Sequence, residues 1–129
     1  MPSNLRIQAG ARALAVLRDG GLKPETVQVI AGAAGGPKWL ILSHIDRFLF
    51  GGWSTGRRMP LYLVGSSSGA WRFAAAAQAN PVAAIDRLER AYIAQRYDPR
   101  PAPAAVSRTA RQILESFITP RKTAQILDH

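Results

Sequence analysis

The sequence predicts an α/β domain built on a parallel sheet. Two short segments, at 27–30 and 61–64, are rich in β-branched or aliphatic residues and are predicted to form strands. A stretch with helical patterning separates them, and strands joined by a long helical crossover are normally parallel. The second segment, Leu61–Val64, is apolar without interruption, which is typical of a strand covered on both faces.

The composition is that of a globular protein. Of the 129 residues, 47% are hydrophobic and 19% are charged, which excludes a disordered chain. The chain has no Cys and two His, so disulfide scaffolds, thiol catalysis and the usual zinc sites are excluded. We expect no cofactor and no metal.

No membrane span is predicted. The longest stretches without a charge, Met59–Trp71 and Phe73–Ile85, are shorter than the ~20 apolar residues that a span needs. We expect a cytoplasmic protein, either free or in peripheral contact with a membrane.

Two helices are predicted in the first half of the chain. Gly10–Asp19 forms the first, and the Gly-Gly pair that follows ends it. The crossover helix begins at Pro37, a residue suited to a first helical turn, and runs to Phe50 before Gly51-Gly52 ends it. Its apolar residues cover more than one face, so we expect this helix to be well buried.

The second half is predicted to be helical apart from a Pro-rich connector. The predicted helices are Ala70–Ala79, Pro81 to about Tyr97, Val106–Thr119 and Thr123–Leu127. Pro81 and Pro120 interrupt the pattern because proline disrupts a helix interior. The connector Asp98–Pro103 is expected to be rigid and extended.

The strongest chemical signal is Gly65-Ser66-Ser67-Ser68-Gly69. It fits G-x-S-x-G between a predicted strand and a predicted helix, the setting of a nucleophile elbow. Ser67 would sit on the sharp turn, and Gly65 and Gly69 are small because side chains there would clash with nearby backbone. The alternative is a Gly/Ser loop that only joins strand to helix. Ser68 is a candidate cap for that helix.

A second glycine-containing turn, Gly32–Lys38, also follows a strand and opens a helix. The backbone N–H groups of Gly35 and Gly36 could form an oxyanion hole, which needs preorganised donors. A P-loop requires Gly before the Lys and Ser or Thr after it, whereas Pro37 and Trp39 occupy those places. The remaining alternative is a tight turn that packs the helix onto the sheet.

Together the two turns resemble those of the patatin-like phospholipases and lipid acyl hydrolases. That family has a D-G-G-G-x-[RK]-G loop after its first strand and a G-x-S-x-G elbow some tens of residues later. Here Gly35-Gly36-Pro37-Lys38 matches G-G-x-[RK], and Ser67 lies 31 residues after Gly36. The resemblance covers roughly Thr26–Tyr97. Ala33, Ala34 and Trp39 depart from it, since they replace the leading Asp, the first Gly and the final Gly of the loop.

The resemblance implies the N-terminal part of a three-layer α/β/α patatin-like hydrolase with a parallel sheet core. Residues 1–97 would form that part of the catalytic domain, and residues 98–129 a connector and helices that lead into a missing C-terminal part. The implied activity is hydrolysis of a lipid or phospholipid ester.

The resemblance also assigns roles to the matching residues. Ser67 would be the nucleophile, and Gly35 and Gly36 would bind the oxyanion. Lys38 would hold the loop or meet a phosphate, with a solvated first-turn Lys as the alternative. Gly65 and Gly69 would support the elbow.

The general base is missing from the sequence. The family uses a Ser–Asp dyad whose Asp lies in D-G-[GA] far downstream of the Ser, and no such motif follows Ser67. Asp19-Gly20-Gly21 spells the motif upstream and is interpreted as a helix end. His44 is expected to be a partly exposed helix residue, and His129 is terminal. Either the base lies beyond His129 or the chain is inactive.

The net charge of +9 supports an alternative from another class, a non-catalytic module that binds anionic lipid or nucleic acid. Its candidate contacts are Arg87, Arg90, Arg96, Arg100, Arg108 and Arg111. The plainer interpretation is a solvated helix face, and since no nucleic-acid fold signature accompanies these residues we expect no nucleic-acid partner. A third hypothesis is a homo-oligomer that pairs through an exposed sheet edge.

Overall fold

A computed structural model describes residues 6–127 and shows a mixed α/β fold that is mostly helical. The helices are α1 (Ala11–Gly20), α2 (Trp39–Phe48), α3 (Ser68–Ala76), α4 (Pro81–Ala94), α5 (Pro103–Phe117) and α6 (Pro120–Leu127), and the strands are β1 (Val29–Gly32) and β2 (Tyr62–Gly65).

The two strands pair in parallel, as predicted from the helical crossover between them. Val29 lies opposite Tyr62 at one end, and Gly32 lies opposite Gly65 at the other. Both strands therefore end together, and the two glycine-containing turns leave the same edge of the sheet.

The faces of the sheet differ in their cover. On one face, Phe73 of α3 lies so close to Gly32 that a Cβ there would be 2.8 Å from its ring. On the other face Val29, Tyr62 and Val64 are each more than half exposed. The prediction that β2 is covered on both faces is therefore wrong for the described residues, whose helices cover one face.

Helix α2 is less buried than predicted. Its inward residues are Trp39, Ser43 and Asp46, whereas Ile41 and Phe48 on the outer side are 77% and 63% exposed. The helix packs against α3 and α4 through one side only. The apolar residues that cover a second face thus lack a partner within residues 6–127.

Gly51-Gly52 does not stop this helix as predicted. The chain continues in a π-helical turn, Leu49–Trp53, in which the Ser54 N–H donates to the Leu49 carbonyl at 2.9 Å. A Cβ on Gly51 would overlap the Val82 side chain. The glycine is therefore needed because α4 approaches the turn closely.

The core lies between α3, α4 and α5. Ala75, Ala84, Leu88 and Phe117 are fully buried, and the alanines let the helices approach closely. Ile113 and Phe117 of α5 are also buried in this core cluster.

Several predicted boundaries shift. Helix α3 begins at Ser68 and ends at Ala76, and α4 ends at Ala94. Helices α5 and α6 start earlier than predicted because Pro103 and Pro120 occupy first-turn positions, where the missing N–H costs nothing.

Helix α1 ends where the sequence predicts. Gly21 has a φ of 72° and its N–H donates to the Leu17 carbonyl at 3.0 Å, a left-handed helix end that favours glycine. Asp19-Gly20-Gly21 is therefore a helix terminus.

Candidate active site

Ser67 has an unusual backbone conformation. Its φ of 52° and ψ of −123° make it the one non-glycine residue in the range 6–127 with a positive φ. It lies between the end of β2 and the start of α3, so the predicted strand–turn–helix setting is present. Such strain costs about 1–3 kcal/mol and clusters at functional sites. The side chain is exposed and makes no capping hydrogen bond to α3.

The glycines that flank Ser67 are required by close backbone contacts. A Cβ on Gly65 would lie 2.6 Å from the Ala70 nitrogen, inside the first turn of α3. A Cβ on Gly69 would overlap the carbonyl group of Gly32 at the end of β1. These contacts explain why both positions need a small residue, as predicted from the sequence. They hold the start of α3 against both strands.

The loop between β1 and α2 differs from the expected pair of free N–H donors. The Gly35 N–H is already engaged, since it donates to the Ser68 Oγ at 3.1 Å. Gly36 has a φ of 50°, and its N–H meets no acceptor among the described residues. Gly36 is therefore one donor of this loop that a ligand could use.

The prediction that the Ser68 hydroxyl caps α3 is wrong, because Ser68 is the first residue of that helix and no side chain caps it. Ser68 binds the Gly35 N–H through its hydroxyl rather than a group of its own helix. Its own N–H opens α3 and has no acceptor in the described part of the chain, as is usual in a first helical turn. The signal for this donor lies in the motif, because the residue after an elbow nucleophile commonly supplies an oxyanion N–H.

Lys38 and Trp39 follow the loop. Lys38 is exposed and borders a cavity of about 240 Å³ that Gly35, Trp39 and Arg72 also line. Trp39 is buried, and its ring lies edge-on to that of Tyr92 at 5.4 Å between centroids. Trp39, one of the three residues that depart from the expected loop pattern, thus anchors the start of α2 against α4.

A buried ion pair joins the helices that follow the two turns. On α3, Arg72 donates from Nε and Nη2 to the two carboxylate oxygens of Asp46 on α2, at 2.7 and 2.6 Å. Both residues are buried, and bidentate pairs of this kind fix geometry as well as charge. Sequence reasoning missed the pair, because the partners lie 26 residues apart and no local pattern links them.

A second ionic cluster holds α2 to α4 away from Ser67. Arg47 binds both Asp86 and Glu89. Burial lowers the pKa of Arg47, but its hydrogen bonds to Glu89 and Asp86 outweigh this, so that the pKa is raised. These groups act in packing, since their charges are already paired.

A general base for Ser67 is not found within residues 6–127. No Asp, Glu or His in that range makes a hydrogen bond to Ser67. Both oxygens of Asp46 are engaged by Arg72, and His44 is exposed on α2. His129 lies outside the described residues.

Most of the basic side chains near α4 and α5 are open to solvent, whereas Arg87 of α4 is half-buried and donates from Nη2 to the Gln78 Oε1 at 3.3 Å. Arg90, Arg96, Arg100, Arg108 and Arg111 are exposed, and the ion pairs found in the described residues involve only Arg47 and Arg72. Much of the positive charge is therefore uncompensated on the surface.

Comparison with protein-family models, with curated proteins and with solved structures finds no match for this chain. Within residues 6–127 no helix has the length and apolar character to cross a membrane. The same residues contain no group of three or more His, Asp or Glu side chains arranged to hold a metal ion.

Proposed function

We propose that this chain carries the nucleophile and oxyanion-binding parts of a serine-dependent lipid acyl ester hydrolase of the patatin-like kind. The observation that carries the proposal is the strained backbone of Ser67 between a parallel strand and a helix. The hydrogen bond from Gly35 to Ser68 supports it, because it joins the glycine loop to the turn that bears Ser67.

The proposed reaction is acyl transfer to Ser67 and then to water. A base removes the hydroxyl proton while Oγ bonds to the ester carbonyl carbon. The N–H groups of Gly36 and Ser68 stabilise the oxyanion, and the N-terminus of α3 favours the same charge. Collapse of the tetrahedral intermediate expels the alcohol, which takes the proton from the base. Water then attacks the acyl-enzyme, which releases the fatty acid and regenerates Ser67.

The proposal changes the role of one predicted residue. Gly35 was expected to donate to the oxyanion, but its N–H is occupied by Ser68. Gly35 is therefore assigned to hold the loop, and Ser68 takes its place as a donor. Lys38 remains assigned to the rim of the site, where its exposed ammonium group suits a phosphate.

The base and the third layer are proposed to come from outside these 129 residues. A dyad Asp is required because no described carboxylate contacts Ser67. The exposed face formed by Val29, Tyr62 and Val64 is the surface that a further helical layer of the complete domain would cover.

A lipid substrate is supported by an apolar cavity beside the elbow. It has a volume of about 470 Å³ and begins at Gly65 and Ala70, with Leu63 and Phe73 among its walls. This volume lies within the usual range for ligand pockets. Because it adjoins the residues that flank Ser67, an acyl chain could lie there while its carbonyl reaches the nucleophile.

The test is covalent labelling by a fluorophosphonate, a probe for activated serines. The 129-residue chain and the product of the full reading frame that contains it are each treated and examined by intact mass. We expect rapid labelling of the longer product at Ser67 and far slower labelling of the 129 residues alone, because the base is missing.

Two serine variants control this experiment. Ser67→Ala should abolish labelling, while Ser66→Ala should leave it intact, because Ser66 is an exposed neighbour in the same turn. Equal labelling of the wild type and Ser67→Ala would contradict the proposal. A reading frame that stops at His129 would do so as well, since the dyad would then have no base.

A second candidate function is a basic module that binds anionic lipid surfaces. The unpaired arginines of α4, α5 and the connector favour it, because clustered basic residues attract such surfaces. It predicts binding to phosphatidylserine vesicles that weakens steeply as salt rises. Binding that is independent of salt would exclude this function, and an unchanged result with Ser67→Ala would separate it from catalysis.

A further inference from the structure

We infer that the Ser68 hydroxyl is a positioning group that fixes the Gly35 peptide and thereby the direction of the adjacent Gly36 N–H. This inference rests on the proposed hydrolase function. The Ser68 side chain thereby has a role of its own, besides that of the Ser68 backbone N–H.

The hydroxyl is placed to do this. Ser68 is buried, and its Oγ accepts the Gly35 N–H at 3.1 Å across 33 positions of sequence. Among the described residues, this is the one hydrogen bond that links the loop at 33–38 directly to the turn at 66–69.

Packing does not fix the loop in the same way. A Cβ on Gly36 would have nothing within 4 Å. A Cβ on Gly35 would meet only the Lys38 Cβ and the Ser68 Oγ, at 3.9 and 4.0 Å. Consecutive glycines have the greatest backbone freedom of any residues. Within the loop, the Gly35 carbonyl accepts the Lys38 N–H at 3.2 Å, which holds the Gly35–Gly36 peptide in a short turn. The bond to Ser68 is the hydrogen bond that fixes this turn relative to Ser67.

Two N–H groups without an acceptor among the described residues adjoin this bond. One belongs to Gly36, the residue after the bonded Gly35, and the other belongs to Ser68 itself. A donor gives its full effect on the transition state only when it is already oriented. Loss of the hydroxyl should leave the Ser68 N–H in place at the start of α3 and release the turn that carries the Gly36 N–H, so that the two donors no longer keep a fixed relative position.

The first measurement is amide hydrogen exchange by NMR on the ¹⁵N-labelled 129-residue chain. We expect the Gly35 amide to exchange about fivefold faster in Ser68→Ala, the factor that matches the loss of one ordinary hydrogen bond. Ser68→Thr keeps the hydroxyl and should retain the wild-type rate, and Ser66→Ala should have no effect.

Ser68→Cys guards against a variant that fails to fold. It keeps the side-chain volume but offers only a weak acceptor, so the Gly35 amide should exchange at an intermediate rate. Unchanged Gly35 exchange in folded Ser68→Ala or in Ser68→Cys would overturn the inference.

The second measurement is the kinetics of fluorophosphonate labelling in whichever form of the protein is labelled. Ser68→Ala should lower the maximal rate constant about tenfold, less than the loss of a whole oxyanion donor, with little change in the half-saturating concentration of probe. Ser68→Thr should restore the rate. An undiminished rate in Ser68→Ala would overturn the positioning role.

The two measurements separate the inference from the proposed function. In one outcome, the wild type is never labelled at Ser67 while Ser68→Ala speeds exchange of the Gly35 amide. The hydrolase function and the positioning role are then both contradicted, but the hydrogen bond between Gly35 and Ser68 is confirmed. If labelling occurs and Gly35 exchange does not respond to Ser68, the hydrolase function stands and this inference fails.

Discussion

The two glycine turns of this protein follow paired strands and open neighbouring helices, yet they are held by different forces. At the elbow, Gly65 and Gly69 touch backbone so closely that neither has room for a Cβ. In the loop, a Cβ on Gly36 would meet nothing and one on Gly35 would make only ordinary contacts, while the Gly35 N–H donates to the Ser68 Oγ. Steric exclusion fixes the turn that bears Ser67, whereas a single hydrogen bond joins residues 33–38 to that turn.

This difference suggests how each turn tolerates change. An elbow defined by overlap with backbone cannot adjust without moving β1 or α3. A loop defined by one hydrogen bond can change its conformation while the rest of the fold stays intact. We therefore expect substitutions at the elbow to act on stability and substitutions in the loop to act mainly on the proposed chemistry.

The largest expected effect on stability comes from breaking the buried ion pair between Asp46 and Arg72, which joins the helices that follow the two turns. Asp46→Ala should lower the free energy of unfolding by about 3–5 kcal/mol, because it leaves a buried guanidinium without its partner. Asp86→Ala is the matched control, since Asp86 is 38% exposed and its pair should contribute about 0–1 kcal/mol. Urea denaturation of the three proteins measures both. Equal losses of unfolding free energy in Asp46→Ala and Asp86→Ala would show that the buried pair does not hold α2 to α3.

Gly69→Ala is expected to be the most costly change within either turn. The new methyl would meet the Gly32 carbonyl, and overpacking against backbone costs about 3 kcal/mol. Gly52→Ala serves as the control, because its Cβ would meet nothing within 4 Å. A fall in the urea midpoint for Gly52→Ala as large as that for Gly69→Ala would contradict the steric account.

Gly36→Ala should have a smaller effect on folding than Gly69→Ala. At the Gly36 φ of 50°, a residue with a Cβ is destabilised by about 1 kcal/mol, although the new methyl would meet no atom within 4 Å. Labelling by fluorophosphonate should fall by more than stability does, because the strained peptide can rotate and misdirect its N–H. A variant with unchanged labelling would remove Gly36 from the proposed oxyanion hole.

Ser67→Gly should raise stability, the one change in this set expected to do so. Relief of about 1–3 kcal/mol of backbone strain exceeds the cost of about 0.5–1 kcal/mol for the greater freedom of glycine in the unfolded chain. The net gain of about 1 kcal/mol is measurable as a higher urea midpoint. Ser67→Ala keeps the strain and should show no such gain, so a similar gain in both variants would argue against strain at this position.

Much of this arrangement was predictable from local sequence signals. Apolar β-branched segments and glycine-containing turns located both strands, their parallel pairing and the turn at Ser67 between a strand and a helix. These signals suffice because they act between neighbouring residues, as where Gly65 meets the first turn of α3.

The features that the sequence analysis missed depend on contacts between distant residues. The bonds of Gly35 to Ser68 and of Asp46 to Arg72 join different elements, and composition gives no sign of either. The exposed side of α2 was also unpredictable, since hydrophobic periodicity shows that Phe48 is apolar but not whether a partner covers it.

The register of the sheet extends into the site. Val29 pairs with Tyr62 and Gly32 with Gly65, and the next polar link, from Gly35 to Ser68, spans the same 33 positions. A slip of one residue would place Gly69, which has no hydroxyl, or Ser67 itself opposite Gly35. In the second case the Gly35 N–H would donate to the hydroxyl of Ser67, the proposed nucleophile. Correct strand alignment is therefore a condition for leaving the Ser67 hydroxyl free. A misaligned chain that kept every helix would still lack the proposed activity.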